Sequence, residues 1–141
     1  MASDEPLLRD LFIQNEYRVV SPEMTMPRVA ALFSETPGDA LLVYNKADDR
    51  FLGCLYLHDF HAAYSGKSLK KNVHKCKINE FMNRNIQEMN WNENVSQAWA
   101  LVTTKHPHGI ILRDDSNKFA GFLSNQDLMA AKYNLDELAL T

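Results

Sequence analysis

The sequence predicts a mixed α/β (α+β) fold built from two tandem strand-helix-strand-strand-helix repeats, and three observations carry that prediction. The first is a repeated outline. An apolar run, Phe119-Ala120-Gly121-Phe122-Leu123, ends at Ser124, and an Ala-rich helical run opens across Asn125-Gln126-Asp127. The same outline stands 68 residues earlier, from Phe51 to Ala63, with Phe, Gly, Leu, Asp and the closing Ala pair in register. The second is a pair of unbroken apolar runs, Ala40-Leu41-Leu42-Val43-Tyr44 and Ile110-Ile111-Leu112, the pattern of strands covered on both faces. The third is a pair of helical stripes ahead of those runs: Met26, Val29, Ala30, Leu32 and Phe33, then Val95, Ala98, Trp99 and Val102.

In chain order, residues 1–7 form a lead-in, and Leu8, Leu11 and Phe12 give a short stripe at helical spacing. Val19-Val20 is a brief strand closed by Ser21-Pro22-Glu23. A helix follows, with Thr25 as N-cap and Pro27 in its first turn, and Pro37-Gly38-Asp39 stops it. After the covered strand 40–44, Asn45 to Arg50 is a polar turn, and Phe51 to Leu57 returns as a hairpin strand. His58 to Tyr64 is a helix ending near Ser65-Gly66. The pattern then repeats. Ile78, Phe81 and Met82 form a stripe, and Ile86 to Met89 a strand. Asn94 opens a helix with Gln97 as its capping-box partner. His106-Pro107-His108-Gly109 stops that helix, and Arg113 to Lys118 turns the second hairpin. Phe119 to Leu123 is its return strand, and Asn125 to Lys132 the last helix of the unit. Leu135 and Leu138 in the tail suffice for one amphipathic turn. The expected organisation is a first repeat over 8–66, a basic linker over 67–77, a second repeat over 78–132 and a tail over 133–141. At this size neither half buries its sheet alone, so the halves are expected to pack about a pseudo-twofold axis.

The chain has 141 residues, 45% hydrophobic and 23% charged, an ordinary globular composition. No apolar run approaches the roughly 18 residues of a membrane span, and the N-terminus lacks the layout of a signal peptide. Cys54 and Cys76 are the two cysteines, and Cys54 sits in an apolar run. That argues against a disulfide framework and fits a reducing cytosol. Net charge is −3 and unevenly placed: −5 over residues 1–66, +5 over 67–77 and −3 over 78–141. This balance argues against a general nucleic-acid binder, with the Lys-rich middle segment a local exception. The linker Lys67–Lys77 reads either as a solvated connector or as a source of phosphate contacts or of an acidic-partner contact.

The element order, with each hairpin ending in Gly-hydrophobic-hydrophobic-hydroxyl-x-x-Asp before a helix, resembles the cystathionine-β-synthase (CBS) domain. Two copies over about residues 8–132 resemble a Bateman module. The resemblance implies an adenosine-containing ligand (AMP, ADP, ATP, S-adenosylmethionine or cyclic di-AMP) in a cleft between the repeats, with no required cofactor. It also implies a homodimer and regulation of an enzyme, channel or transporter. Ser124-x-x-Asp127 matches the family's ribose motif. His108 stands where nucleotide-sensing members place a phosphate-contacting His, and Gly109 where an Arg often follows it. Ile110 and Gln126, beside these residues, complete the expected ligand-binding set.

The same residues have plainer readings. Ser124 with Asp127 three positions on is a capping box that needs no ligand, and His106 and His108 suit an exposed loop. In the first repeat Tyr56 stands where Ser124 does, His58 where Gln126 does, and Asp39 where His108 does, and a carboxylate there repels phosphate. Binding is therefore expected at one site per chain, built on Ser124 and Asp127. His58, His61, His74 and Cys76 can be imagined as a metal set, but no Cys-x-x-Cys or His-Glu-x-x-His supports it. Ser124, His108 and Asp127 lack the flanking glycines of a nucleophile elbow, which argues against a hydrolase. Two functions follow: a non-catalytic nucleotide-sensing module that acts through a partner, or a scaffold with degenerate pockets that dimerises or docks.

Overall fold

A computed structural model describes residues 5–11, 17–35, 40–65 and 75–140, with backbone alone at 62–65 and 137–140. The helix stop at Pro37-Gly38-Asp39, the stripe residue Phe12, and Gly66 to His74 lie outside the described residues. The elements are β1 (Tyr17–Val20), α1 (Met26–Glu35), β2 (Ala40–Asn45), β3 (Arg50–Tyr56), α2 (Leu57–Ser65), β4 (Ile86–Asn90), α3 (Val95–Lys105), β5 (Gly109–Arg113), β6 (Phe119–Ser124) and α4 (Asn125–Leu140). Each repeat is thus β-α-β-β-α, as its periodicity predicts. The strands form two three-stranded sheets, β1-β2-β3 and β4-β5-β6, each with a parallel pair followed by an antiparallel hairpin. Both hairpins break register at the same place, Val43/Tyr44 and Leu112/Arg113, so the repeat extends to an irregularity that no residue pattern announces.

Two compact units result: Asn15–Arg84, and Asn85–Thr141 together with Met1–Gln14. These are not the linear repeats. The 3-10 turn Leu8–Asp10 packs in the core of the later unit, where fully buried Leu8 joins Met89, Val95, Ala98, Ile110, Leu123 and Leu128. It is tied there by amides of Leu8 and Arg9 donating to the carbonyls of Glu93 (2.8 Å) and Trp91 (2.9 Å). The turn Ile78–Glu80 does the same for the earlier unit. Ile78 and Met82 pack with Val29, Leu41, Val43 and Leu55, and Ile78 N–H donates to Met24 O at 2.8 Å. A short stripe shows that it needs burial but not against which sheet. The linker's end is anchored too: Lys77 bridges Thr25 and its ammonium meets Glu23.

Helix starts follow their local chemistry. Asn94 caps α3 reciprocally with Gln97, at 2.9 and 2.8 Å. The helix ends at His106 in the left-handed region (φ 50°, ψ 48°). The tail does not form a separate turn. No Gly or Pro lies between Lys132 and Leu140, so α4 runs on.

Candidate functional site

Strand register assembles one corner of the later unit. Gly109, the first residue of β5, pairs with Ser124, the last of β6, and with Ile86 at the start of β4. His108, Ser124 and the first turn of α4 therefore meet at one end of the sheet. Ser124 is 2% exposed. Its Oγ donates to Asp127 Oδ2 and accepts from the Asp127 N–H, both at 3.1 Å. The hydroxyl thus caps the helix start as the serine of a capping box does, while the Asp127 carboxylate accepts from the hydroxyl. Asp127 remains half-buried, at the positive end of the α4 dipole. His108 is exposed, and so is Gln126. Ile110 is elsewhere: 1% exposed and paired with Leu123, its side chain serves the core.

Two asparagines to which the sequence reading gave no role hold this corner. Asn85 brings Nδ2 within 3.1 Å of the carbonyls of Lys105 and His106, and its own carbonyl accepts from the His108 N–H at 2.7 Å. Asn125 donates Nδ2 to Pro107 O at 2.8 Å, while its Oδ1 is buried with no partner among the described residues. Asparagine ahead of a strand or at a helix start reads as a turn or cap residue, so neither role had a sequence signal.

The corresponding corner of the earlier unit is tied together by contacts among its own side chains. Tyr56, the last residue of β3, stacks its ring on His58 (centroids 5.5 Å apart, planes at 13°). His58 Nε2 lies 3.4 Å from Asp59 Oδ1, and Asn83 donates Nδ2 to Asp59 Oδ2 at 2.9 Å. Asp39 lies outside the described residues. Cys54 sits behind this corner. Burial pushes its thiol up to about 12, the Asp59 charge adds to the shift and a Tyr56 hydrogen bond opposes it. A raised folded pKa stabilises the fold below the ordinary thiol pKa, and that contribution is lost as pH rises toward the folded value. Cys54 is therefore expected to resist maleimide at pH 8 in the native chain and to react once denatured. Rapid native labelling would show that the strand opens.

Elsewhere in the later unit, Arg113 is 8% exposed and donates Nε to Glu88 Oε1 at 2.7 Å and Nη1 to Asn117 O at 3.0 Å. Glu88 is half exposed. The two partners are therefore unequal. Glu88→Ala leaves a buried guanidinium short of its anion and should cost about 2 kcal/mol, whereas Arg113→Met should cost about 1 kcal/mol or less. Urea titrations giving the reverse order would overturn this. A groove of about 220 Å³ lined by Glu88, Asn90, Glu93, Arg113 and Asn117 lies beside this pair, and one of about 500 Å³ runs along Met89, Ala100, Leu101 and Thr104. The Arg113 groove is at the sheet end opposite Ser124, so the corner is defined by its polar groups rather than by either hollow. Among the described residues no group of three or more His, Cys, Asp or Glu is placed to hold a metal ion. His58 and His61 are exposed and Cys76 is buried, while His74 lies outside the described residues. No described helix is long and apolar enough to cross a membrane.

No protein-family model matches the sequence, and no curated protein matches it. Solved structures do match. A hemolysin-like protein containing a CBS domain from Oenococcus oeni superposes with a TM-score of 0.70 at 17% identity, covering 91% of this chain and 90% of that one. The CBS domain of a bacterial CNNM/CorC family Mg²⁺ transporter, solved in complex with an inhibitor, gives 0.69 at 17% identity, covering 89% and 74%. A CBS-domain containing protein from Agrobacterium tumefaciens gives 0.60 at 18% identity, covering 84% and 85%. The shared property is the fold.

Proposed function

We propose that this chain, a tandem CBS pair by fold, is a non-catalytic regulatory module whose later unit takes an adenosine-containing ligand of the AMP, ADP or ATP class and passes the response to a partner. One observation carries the reading: strand register brings Ser124, Asp127 and His108 to the same sheet end. On binding, the Asp127 carboxylate exchanges the Ser124 hydroxyl for ribose hydroxyls, a charge-assisted contact. The α4 N-terminus and His108 favour phosphate. Gln126, exposed in the first turn, borders the same ligand. The ligand acts by population shift, favouring whichever arrangement binds it better. A Mg²⁺ transporter's CBS domain of similar fold supports a transporter as the regulated partner; an enzyme as that partner and a homodimer are carried over from the family resemblance. Two buried free cysteines support a reducing, cytoplasmic setting.

A second reading, a ligand-free scaffold, is favoured by Met129 and Tyr133, one turn apart on α4 and 59% and 65% exposed. A thermal-shift screen with AMP, ADP, ATP, S-adenosylmethionine and cyclic di-AMP separates the two. A ligand at 100 times its Kd stabilises the native state by about 2.7 kcal/mol, a shift of several degrees. No shift from any of the five at millimolar concentration supports the scaffold. With Asp127→Ala the ligand-induced shift should vanish. The unliganded midpoint also falls, because losing a cap costs about 1 kcal/mol, so the comparison is of shifts.

A further inference from the structure

The two grooves of the later unit share Glu88, Met89 and Glu93, so they form one trough along β4, an edge strand of its sheet. The larger part, about 500 Å³, has an apolar floor of Met89, Ala100 and Leu101, where Ala100 is exposed and Leu101 half-buried. The smaller part, about 220 Å³, is charged: Glu88, Glu93 and Asp114 stand against one base, Arg113, which is buried and neutralised by Glu88. The excess negative charge therefore sits on Glu93 and Asp114. Each is held by its own chain. Glu93 Oε2 accepts the Asn90 N–H at 3.0 Å, and Asp114 Oδ1 accepts the Ser116 and Lys118 N–H groups at 2.9 and 3.0 Å. Glu93 Oε1 and Asp114 Oδ2 accept no hydrogen bond among the described residues. These open oxygens are not gathered about a point, because no described group of three or more His, Cys, Asp or Glu is placed to hold a metal ion. Spread acceptors beside an apolar floor suit a guanidinium or ammonium, which fans several N–H donors from the end of an aliphatic stem.

We infer that this trough docks a segment of a partner protein that carries an arginine or lysine beside leucine-sized side chains. The cation meets Glu93 and Asp114, its stem lies on Met89, and the aliphatic neighbours cover Ala100 and Leu101. Charge complementarity selects the segment, and an acidic one meets two carboxylates with no cation between them. A free polyamine offers the same cation but no side chains for the apolar part, whereas a protein segment fills both. The partner required by the proposed function thereby acquires a surface and a chemistry. Docking itself needs no nucleotide, and only its regulatory purpose rests on that reading.

Fluorescence anisotropy on the full, unliganded chain tests the docking with a labelled, end-capped peptide, Gly-Arg-Leu-Leu-Gly. Exchanging its arginine for glutamine, or both leucines for serine, should weaken binding about tenfold in each case. In the chain, Glu93→Gln combined with Asp114→Asn removes the charge while each carboxamide oxygen still accepts its backbone amides, and should weaken binding about tenfold. Ala100→Tyr fills the apolar part from an exposed helix position and should weaken binding about threefold or more. Added salt should weaken the arginine peptide and leave the glutamine peptide unchanged. Should a variant fail to fold, the peptide exchanges on the wild-type chain decide. No binding at millimolar peptide, equal binding of the glutamine peptide, or an affinity unchanged in both folded variants overturns the docking. Spermidine that binds as tightly as the peptide and ignores Ala100→Tyr assigns the trough to a free polyamine and overturns it too. So does a wild-type dimer in sedimentation that Ala100→Tyr separates, because the face then belongs to a second copy. The nucleotide screen reads the Ser124–Asp127 corner separately, so failure of either reading leaves the other standing.

Discussion

Gly53→Ala should destabilise the chain by about 2–3 kcal/mol, the upper part of the range for over-packing a filled interior. A Cβ at Gly53 would stand 2.4 Å from the carbonyl oxygen of Asn83, with Met82 Sδ at 3.0 Å. The sulfur can swing away. The carbonyl cannot, because Asn83 is bound through its backbone to Cys54, the next residue along β3. Relief therefore requires breaking that bridge and drawing the turn Ile78–Glu80 off the core it covers. Urea unfolding should show a lower midpoint with an unchanged slope. Combining the change with Met82→Ala should not restore stability. A loss under about 0.5 kcal/mol would show that segment 82–83 yields freely. The reason for glycine here is closeness of backbone, and the strand pattern alone marks Gly53 only as a repeated position.

Titration calorimetry of the ligand found by the screen should give one site per chain, and Asp127→Ala should abolish the binding heat. Asp59→Ala should leave the stoichiometry at one. The two aspartates occupy matching places at the starts of α2 and α4, yet their surroundings differ. Asp127 holds a serine hydroxyl, a small group that a ribose can replace in kind. Asp59 holds the Asn83 amide beside a stacked Tyr56–His58 pair, so a ligand there must displace side chains. Unpartnering a half-buried carboxylate or amide costs about 1 kcal/mol, roughly fivefold in affinity. Two equivalent sites per chain would refute this asymmetry, and binding that survives Asp127→Ala would remove the corner from the ligand.

Most of the fold is legible in the sequence because period is a local property. The stripes of α1 and α3, the covered strands β2 and β5, the Asn94–Gln97 cap and the repeated hairpin are each written in a short stretch of chain, and each appears within a residue or two of its place. The candidate corner is half legible. Ser124-x-x-Asp127 is a short motif, and its hydrogen bonds form between the residues it names. Asn85, Asn125 and Asn83 escape notice because a single asparagine carries no sign of the partner it will meet. Arg113 escapes because it borders a polar turn, where an arginine reads as solvated, and here it is buried against Glu88. Ile110, named beside the motif, goes to the core.

By itself the sequence determined the element order, the two-repeat plan and the difference between Ser124 and Tyr56, all of which depend on near neighbours and on comparing one copy with the other. The tertiary structure decided which sheet each leading turn covers, Leu8 with β4–β6 and Ile78 with β1–β3. It also decided why Gly53 is glycine and what occupies Asp59. Each of these is a contact over 24 or more residues of chain. An apolar stripe or a hydrogen-bonding side chain specifies a need for a partner, and only the closed fold supplies which one.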